Sequence, residues 1–391
     1  MIKGKRIILG ITGSIAAYKG IELARGLKQD GAYVTVVMTE NAQRFISPLT
    51  FEVVSENKVF TDLFDPPLSH ITLSEQSDAL LVAPATADII NKAASGIGDD
   101  LLTTLLLSFN GPIVFAPAMN WRMYENPVVK KNIDTLQSLG RVFVEPVTGR
   151  LACGEEGVGR LAPVGDIIEV IKQVVSIKDL VGKKVLVTAG PTREPIDPVR
   201  FISNRSSGKM GFALAKAARR RGAEVTLITG PTYLESPYGI KTIGVERADE
   251  MMDAVLKNFN DSSIVVMAAA VSDFTPEKAS KEKIKKEDIS TLSLRKTGDI
   301  LKRLNKLRKN QILVGFAAET GDVIKKAKDK LRTKNLDIIV VNDITEKGAG
   351  FDADTNIVTI IEKTGKLYKC PILSKEAVAD IIYDMVLELN A

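Results

Sequence analysis

Two stretches of this sequence open alike, and each demands a parallel sheet. Gly4-Lys-Arg-Ile-Ile-Leu-Gly-Ile-Thr-Gly13 is an apolar run ending in a glycine turn, followed by a helical stretch at Ile15–Lys28 and an apolar run at Tyr33–Met38. Gly182-Lys-Lys-Val-Leu-Val-Thr-Ala-Gly190 starts a second copy, whose helix is expected at about Lys209–Arg221 and strand at about Glu224–Thr229. Strand, glycine turn, helix and strand in succession describe a βαβ unit on a parallel sheet. Two such openings predict an α/β protein with two doubly wound, mostly parallel Rossmann-like sheets. Further buried strands are expected at Ala79–Ala83, Ile113–Ala116 and Val142–Val144, then at Ile264–Ala268, Ile312–Phe316 and Asp337–Val341. A helix at Ile167–Val175 precedes the join near Val174–Gly182, giving domains at 1–178 and 179–391, and Ser374–Leu389 reads as a closing helix.

Length agrees, since 391 residues suit two domains better than one core. The longest apolar runs, such as Ile264 to Val271, fall far short of the ~20 residues that a membrane span needs. Met1-Ile-Lys-Gly-Lys5 leads straight into a strand, which leaves no signal peptide to expect. Two distant cysteines, Cys153 and Cys370, offer no disulfide framework, so a reducing cytoplasm is the expected setting. The net charge of +5 is modest, and the basic stretches Lys278–Lys286 and Lys325–Lys334 lack interleaved aromatics. Phosphorylated small molecules therefore explain the positive field better than nucleic acid does.

In the first half, Gly13 and Ser14 fall in the turn between strand and helix, where backbone amides suit a phosphate. The three-glycine dinucleotide fingerprint is missing, which favours a single phosphate and speaks against a nicotinamide-dependent dehydrogenase. Thr86, in Pro84-Ala-Thr-Ala-Asp88, lies at the carboxyl end of a strand, the edge where open α/β sheets bind ligands. Ala116-Pro-Ala-Met-Asn-Trp-Arg-Met-Tyr124 follows the next strand in the same way. Leu151-Ala-Cys-Gly-Glu-Glu-Gly-Val-Gly-Arg160 is glycine-rich, and Ser69-His-Ile71 holds the only histidine. Taken singly, His70 could be a surface residue on a strand edge, Cys153 a small buried hydrophobe and Asn120 a helix cap.

Together, in this order, the histidine, the Pro-Ala-Met-Asn loop and the Cys-Gly motif resemble the phosphopantothenoylcysteine decarboxylase family of flavin-containing cysteine decarboxylases. Asp88-Ile89, where many members have Asn-Thr, and Tyr124, often tryptophan, depart from its pattern. The resemblance implies FMN, with Gly13, Ser14 and Thr86 among its contacts. It implies that His70 handles the proton in thiol oxidation, that Asn120 binds the substrate carboxylate, and that Cys153 returns a proton to the enethiol. Oxidation of CH₂–SH to a thioaldehyde supplies the electron sink that carbon–carbon cleavage needs, and the flavin makes the cycle redox-neutral. A flavin prenyltransferase shares the fold but explains neither the Pro-Ala-Met-Asn loop nor the second half. A flavin-binding regulatory protein would have no use for His70, Asn120 and Cys153 together.

In the second half, Thr188-Ala-Gly-Pro-Thr-Arg-Glu-Pro-Ile-Asp-Pro-Val-Arg200 reads as irregular, and Phe201-Ile-Ser-Asn-Arg-Ser-Ser-Gly-Lys-Met-Gly211 as a phosphate-suited lead into a helix. The P-loop order GxxxxGK[ST] is absent. Ala268-Ala-Ala-Val-Ser-Asp273 is expected to end a strand with a carboxylate, and Gly315-Phe-Ala-Ala-Glu-Thr320 to end the next. Lys283-Ile-Lys-Lys286 falls in a loop, and Lys330 and Lys334 share one side of a helix. On charge alone these lysines are solvated faces.

These motifs resemble the phosphopantothenate–cysteine ligase family, and with the first half they follow the order of the bifunctional enzyme of coenzyme A biosynthesis. The resemblance implies CTP as co-substrate with Mg²⁺, an acyl-cytidylate intermediate bound by Asn204, and Lys283 assisting its formation, Lys285 and Lys286 being equally within reach. It assigns the nucleotide site to Asp273, Phe316, Lys330 and Lys334, with Asp273 near the base or metal. It also implies a homododecamer of decarboxylase trimers and ligase dimers.

Overall fold

The computed structural model describes residues 2–150, 154–285, 291–319, 322–343 and 353–389. The chain divides into two compact units, Met1–Ser176 and Ile177–Ala391, each with its own sheet.

The first unit contains a five-stranded sheet in the order Tyr33–Met38, Arg6–Ile11, Ala79–Ala85, Ile113–Pro117 and Val142–Phe143. All its pairings are parallel. Strand Ala79–Ala85 is buried along its whole length, as expected of a central strand covered by helices on both faces. The stretch after Gly13 differs from the single helix expected. Ser14 caps a 3-10 turn, Ile15–Tyr18, by accepting from the Ala16 amide, and the α-helix begins only at Lys19. His70 lies in the first turn of helix Ser69–Gln76, so the strand-edge reading of this residue is wrong. The glycine-rich stretch also differs: Val147–Arg150 and Glu156–Arg160 pair as an antiparallel hairpin.

The second unit contains an eight-stranded sheet ordered Lys241–Gly244, Glu224–Thr229, Lys184–Ala189, Ile264–Met267, Ile312–Glu319, Ile338–Asp343, Val358–Glu362 and Leu367–Lys369. The last two strands run antiparallel and escaped the sequence pattern because, at five and three residues, they are too short for a clear strand signal. Helices Lys209–Arg220 and Lys375–Glu388 pack on one face. Gly211 lets the first of them approach the sheet, since a Cβ there would lie 2.5 Å from the Ala189 Cβ.

Two expectations for this unit need correction. Segment Thr188–Arg200 is not wholly irregular, because Arg193–Pro195 pairs antiparallel with Phe201–Ser203 around a tight turn. Asp273 does not end a strand. The strand stops at Met267, because the Ala270 amide donates to the Gly190 carbonyl (2.9 Å) and the Ser272 amide to Thr192 Oγ1 (2.9 Å). The chain is thereby drawn over the first strand's loop instead of continuing the ladder.

Candidate active sites

In the first unit, the ends of two neighbouring strands are stitched together by Thr12. Its buried hydroxyl donates to the Pro84 carbonyl (2.6 Å) and accepts from the Thr86 amide (3.2 Å). Thr86 in turn caps helix Ala87–Ser95 by accepting from the Ile89 amide. The Ala118 amide donates to the Ala85 carbonyl (3.0 Å), which joins the Met119-Asn120 loop to the same edge. Gly13 and Ser14 thus sit beside Thr86 through the Thr12 link, and a Cβ at Gly13 would lie 2.6 Å from the Asn41 Cβ. Thr12 was missed as a functional position; its place directly before the glycine turn was the available signal.

Asn120 caps the short helix Trp121–Tyr124, its Oδ1 accepting from the Arg122 amide at 2.9 Å. Cap and binding residue are compatible readings, because the side-chain NH₂ carries two N–H donors and the bond to Glu155 needs only one. The hairpin Val147–Arg160 docks on this loop. The Met119 amide donates to the Gly159 carbonyl (3.0 Å), and Trp121 Nε1 (2.8 Å) and Arg122 (2.7 Å) both donate to Glu155 Oε2. These bonds, Trp121 first, hold the Glu155 carboxyl below its ordinary pKa. Gly159, at φ +145°, is required here, since a Cβ would lie 2.2 Å from the Met119 carbonyl oxygen. Cys153 lies outside the described residues, although both strands leading to it are described. His70 is half-buried, and its Nδ1 is buried with no hydrogen-bond partner among the described residues.

In the second unit, a cleft of about 840 Å³ opens at the carboxyl edge of the sheet. It brings together Asn204, Asp273, Phe316, Lys330 and Lys334, five of the six residues singled out there. Phe316 sits within strand Ile312–Glu319, not at its end. Asn204 Nδ2 donates to the Val271 carbonyl (3.0 Å), fixing the side chain against the turn that carries Asp273. Helix Lys209–Arg220 presents its N-terminus to the cleft through Ser206, Ser207 and Gly208, and the positive end of a helix dipole suits a phosphate there. Lys283 does not line the cleft; it is exposed in the loop after Ser280, and Lys286 lies outside the described residues.

Lys330 and Lys334, two of the five lysines lining the cleft, are held by carboxylates that sequence reasoning did not assign. Lys330 Nζ lies 2.6 Å from Glu319, and Lys334 pairs with Asp299. Burial pushes the Asp299 carboxyl up, but the Lys334 ammonium and the Lys302 amide outweigh it and hold it below the usual range. Asp299 also caps helix Ile300–Leu307, a signal legible before an amphipathic run. Among the described residues no set of three histidine, cysteine or acidic side chains is arranged to hold a metal ion.

Two α/β units, each with its ligand edge at the carboxyl ends of the strands, define a two-centre protein of nucleotide-binding architecture. The model of the Flavoprotein family matches residues 1–176, and that of the DNA/pantothenate metabolism flavoprotein C-terminal domain matches residues 180–389. The chain is 48% identical to the coenzyme A biosynthesis bifunctional protein CoaBC of Bacillus subtilis, covering 100% of this chain and 98% of that one. It is 45% identical to its counterpart from Vibrio cholerae, covering 99% of each. A crystal structure of the C-terminal domain of a CoaBC protein aligns at 42% identity with a TM-score of 0.47, over 54% of this chain and 97% of that one. The chain belongs to the family of coenzyme A biosynthesis bifunctional proteins.

Proposed function

We propose that residues 179–391 join cysteine to 4′-phosphopantothenate using CTP, and that residues 1–178 decarboxylate the 4′-phosphopantothenoylcysteine so formed to 4′-phosphopantetheine. The observation that carries the ligase reading is the cleft, in which separate segments deliver Asn204, Asp273, Phe316, Lys330 and Lys334 to one cavity beside a helix N-terminus. A carboxylate cannot acylate an amine while its leaving group is oxide. Attack on the α-phosphate of CTP gives an acyl-cytidylate and pyrophosphate, and the cysteine amine then displaces CMP. Lys330 and Lys334, with the helix N-terminus, neutralise phosphate charge, and Asn204 orients the activated carbonyl. Lys283 reaches the reacting phosphate from its loop. Asp273 would be the protein partner of a Mg²⁺ ion, which would offset phosphate charge.

The first unit's residues fit a flavin phosphate. The Gly13 turn has no room for a side chain, and the Ser14 hydroxyl can still donate while capping its own helix turn. When bound, FMN supplies reversible hydride acceptance. His70, with its buried Nδ1 unpartnered among the described residues, takes the thiol proton. Asn120 orients the substrate carboxylate, and Cys153 protonates the enethiol carbon. Exposed Phe45, Leu49, Val53, Phe64 and Leu68 are consistent with further copies covering this unit in a homododecamer. No helix among the described residues is long and apolar enough to cross a membrane, and a cytoplasmic location accords with the thiol chemistry.

Incubating the protein with 4′-phosphopantothenate, cysteine, Mg²⁺ and CTP, with an ATP control, tests both steps. CMP release followed by CO₂, from a protein carrying yellow flavin, is the expected result. CMP without CO₂ would leave the ligase alone, and neither product with either nucleotide would overturn the enzymatic reading in favour of a flavin-binding regulator.

A further inference from the structure

The basic run Lys278–Lys286 has the composition of a solvated loop, in which like charges repel and Ile284 is the single large apolar residue. One residue in it is nevertheless gripped. Ile284 donates its amide to Asp197 Oδ2 (3.3 Å), and its carbonyl accepts from the Arg200 guanidinium (3.1 Å), so both polar groups of that residue are engaged. Arg200 closes the triangle by pairing with the same Oδ2 (3.1 Å). A second tie lies just upstream, where the Ser280 amide donates to the Ile196 carbonyl (2.9 Å).

Asp197 is 3% exposed, and its two oxygens have separate tasks. Oδ1 accepts from the Val199 and Arg200 amides (2.8 Å each), which shapes the turn between Arg193–Pro195 and Phe201–Ser203. That alone is the ordinary work of an aspartate in a turn. Oδ2 is not needed for it and reaches 87 residues along the chain to the lysine loop. Burial would push this carboxyl up, but the three amides and the guanidinium hold it below the usual range, so it stays charged at neutral pH.

We propose that Asp197 is a positioning residue for the first ligase half-reaction, tethering the loop at Ile284 so that its flanking lysines are delivered to the reacting phosphates. The proposal rests on the reading that a lysine of this loop assists acyl-cytidylate formation. An untethered loop spreads its ammonium groups over a large volume. Fixing one neighbouring residue raises their effective concentration at the site, which appears in the rate of the step that uses them and not in the binding of cysteine.

Asp197→Asn separates the two tasks. Its retained oxygen still accepts from the turn amides, while its NH₂ group opposes the Ile284 N–H and the Arg200 guanidinium. Ile284→Pro removes the same bond from the other side, since proline has no N–H. Both variants, made in the full chain, are assayed for pyrophosphate release, for KM of cysteine, and for decarboxylation of supplied 4′-phosphopantothenoylcysteine. The expected result is pyrophosphate release slowed about tenfold or more, with KM for cysteine within about twofold and decarboxylation unchanged. Adding Asp197→Asn to a chain carrying Lys283→Ala, Lys285→Ala and Lys286→Ala should slow that chain no further. Normal pyrophosphate release in both tether variants, beside a slow lysine-free loop, overturns the positioning role alone. Normal release from the lysine-free loop overturns the underlying reading and the proposal with it. A further loss in the combined variant assigns Asp197 a purely structural role.

Discussion

The two units begin with the same βαβ opening yet build their sites by different means. In the first, the chain passes from strand Arg6–Ile11 into a helical turn at Ile15, and the site is assembled from short turns at three strand ends. In the second, the chain travels from Ala189 to Lys209 before its helix starts, folding a small hairpin on the way. The added segment walls a cleft of about 840 Å³ and brings Asn204 to it. A shared opening therefore establishes where a ligand sits, while the longer first crossover turn of the second unit adds a wall to its cleft.

The largest expected effect tests whether each unit depends on its own close backbone approach. A Cβ at Gly230 would lie 1.6 Å from the Pro191 carbonyl oxygen, and one at Gly159 would lie 2.2 Å from that of Met119. Neither neighbour is the end of a pliable side chain, so the backbone must shift, at a cost of about 2–3 kcal/mol. Gly230→Ala should abolish CMP release and spare decarboxylation of supplied substrate; Gly159→Ala should do the reverse. If either variant removed both activities, the units would not be functionally separable in this way.

Much of this division was legible beforehand. Periodicity located the parallel strands, because strands buried on both faces read as unbroken apolar runs, as Ala79–Ala85 does. What escaped was structure made by single hydrogen bonds. Asp273 reads as a strand end, since Ile264–Val271 is uninterruptedly apolar, but the Ala270 amide chooses the Gly190 carbonyl and breaks the ladder. Hairpin Arg193–Ser203 was hidden because its turn is organised by one aspartate oxygen within a proline-rich segment. The cleft residues Asn204, Asp273, Phe316, Lys330 and Lys334 were found through family motifs, whereas the pairing of Lys330 with Glu319 and of Lys334 with Asp299 becomes visible only in three dimensions.

An intermediate effect sharpens the picture of the cleft. Lys334 is about one-third exposed and paired with the part-buried Asp299, while Lys330 is about half exposed. Removing Lys334 deletes a phosphate partner and strands a carboxylate in the cleft, so Lys334→Ala should weaken nucleotide binding by about 2–3 kcal/mol, or 30- to 150-fold. Lys330→Ala, at a more solvated position and with Lys326 still beside Glu319, should cost about 1 kcal/mol, and its contribution should fade in high salt. Titrating CTP at two ionic strengths decides the matter. Equal losses for the two variants would mean that exposure does not rank them. Lys334→Ala with Asp299→Asn should recover part of the loss.

The smallest effect concerns the first unit, where a carboxylate instead of a cation organises the loop. Trp121 is the only tryptophan in the chain, and its indole N–H donates to Glu155, so its emission reports that contact directly. The Trp121 and Arg122 bonds lower the Glu155 pKa. A carboxyl lowered on folding contributes stability above its unfolded pKa and loses it as pH falls through the folded one. Docking of the hairpin on Trp121 should therefore be constant from neutral pH down to the ordinary carboxylate range of about pH 4 to 5, and be released only below it. Emission should be flat over the first interval and shift over the second. Glu155→Gln, which keeps an acceptor for the indole but loses the ion pair with Arg122, should flatten the acid transition. A transition centred near pH 6 would instead remove Glu155 from the account.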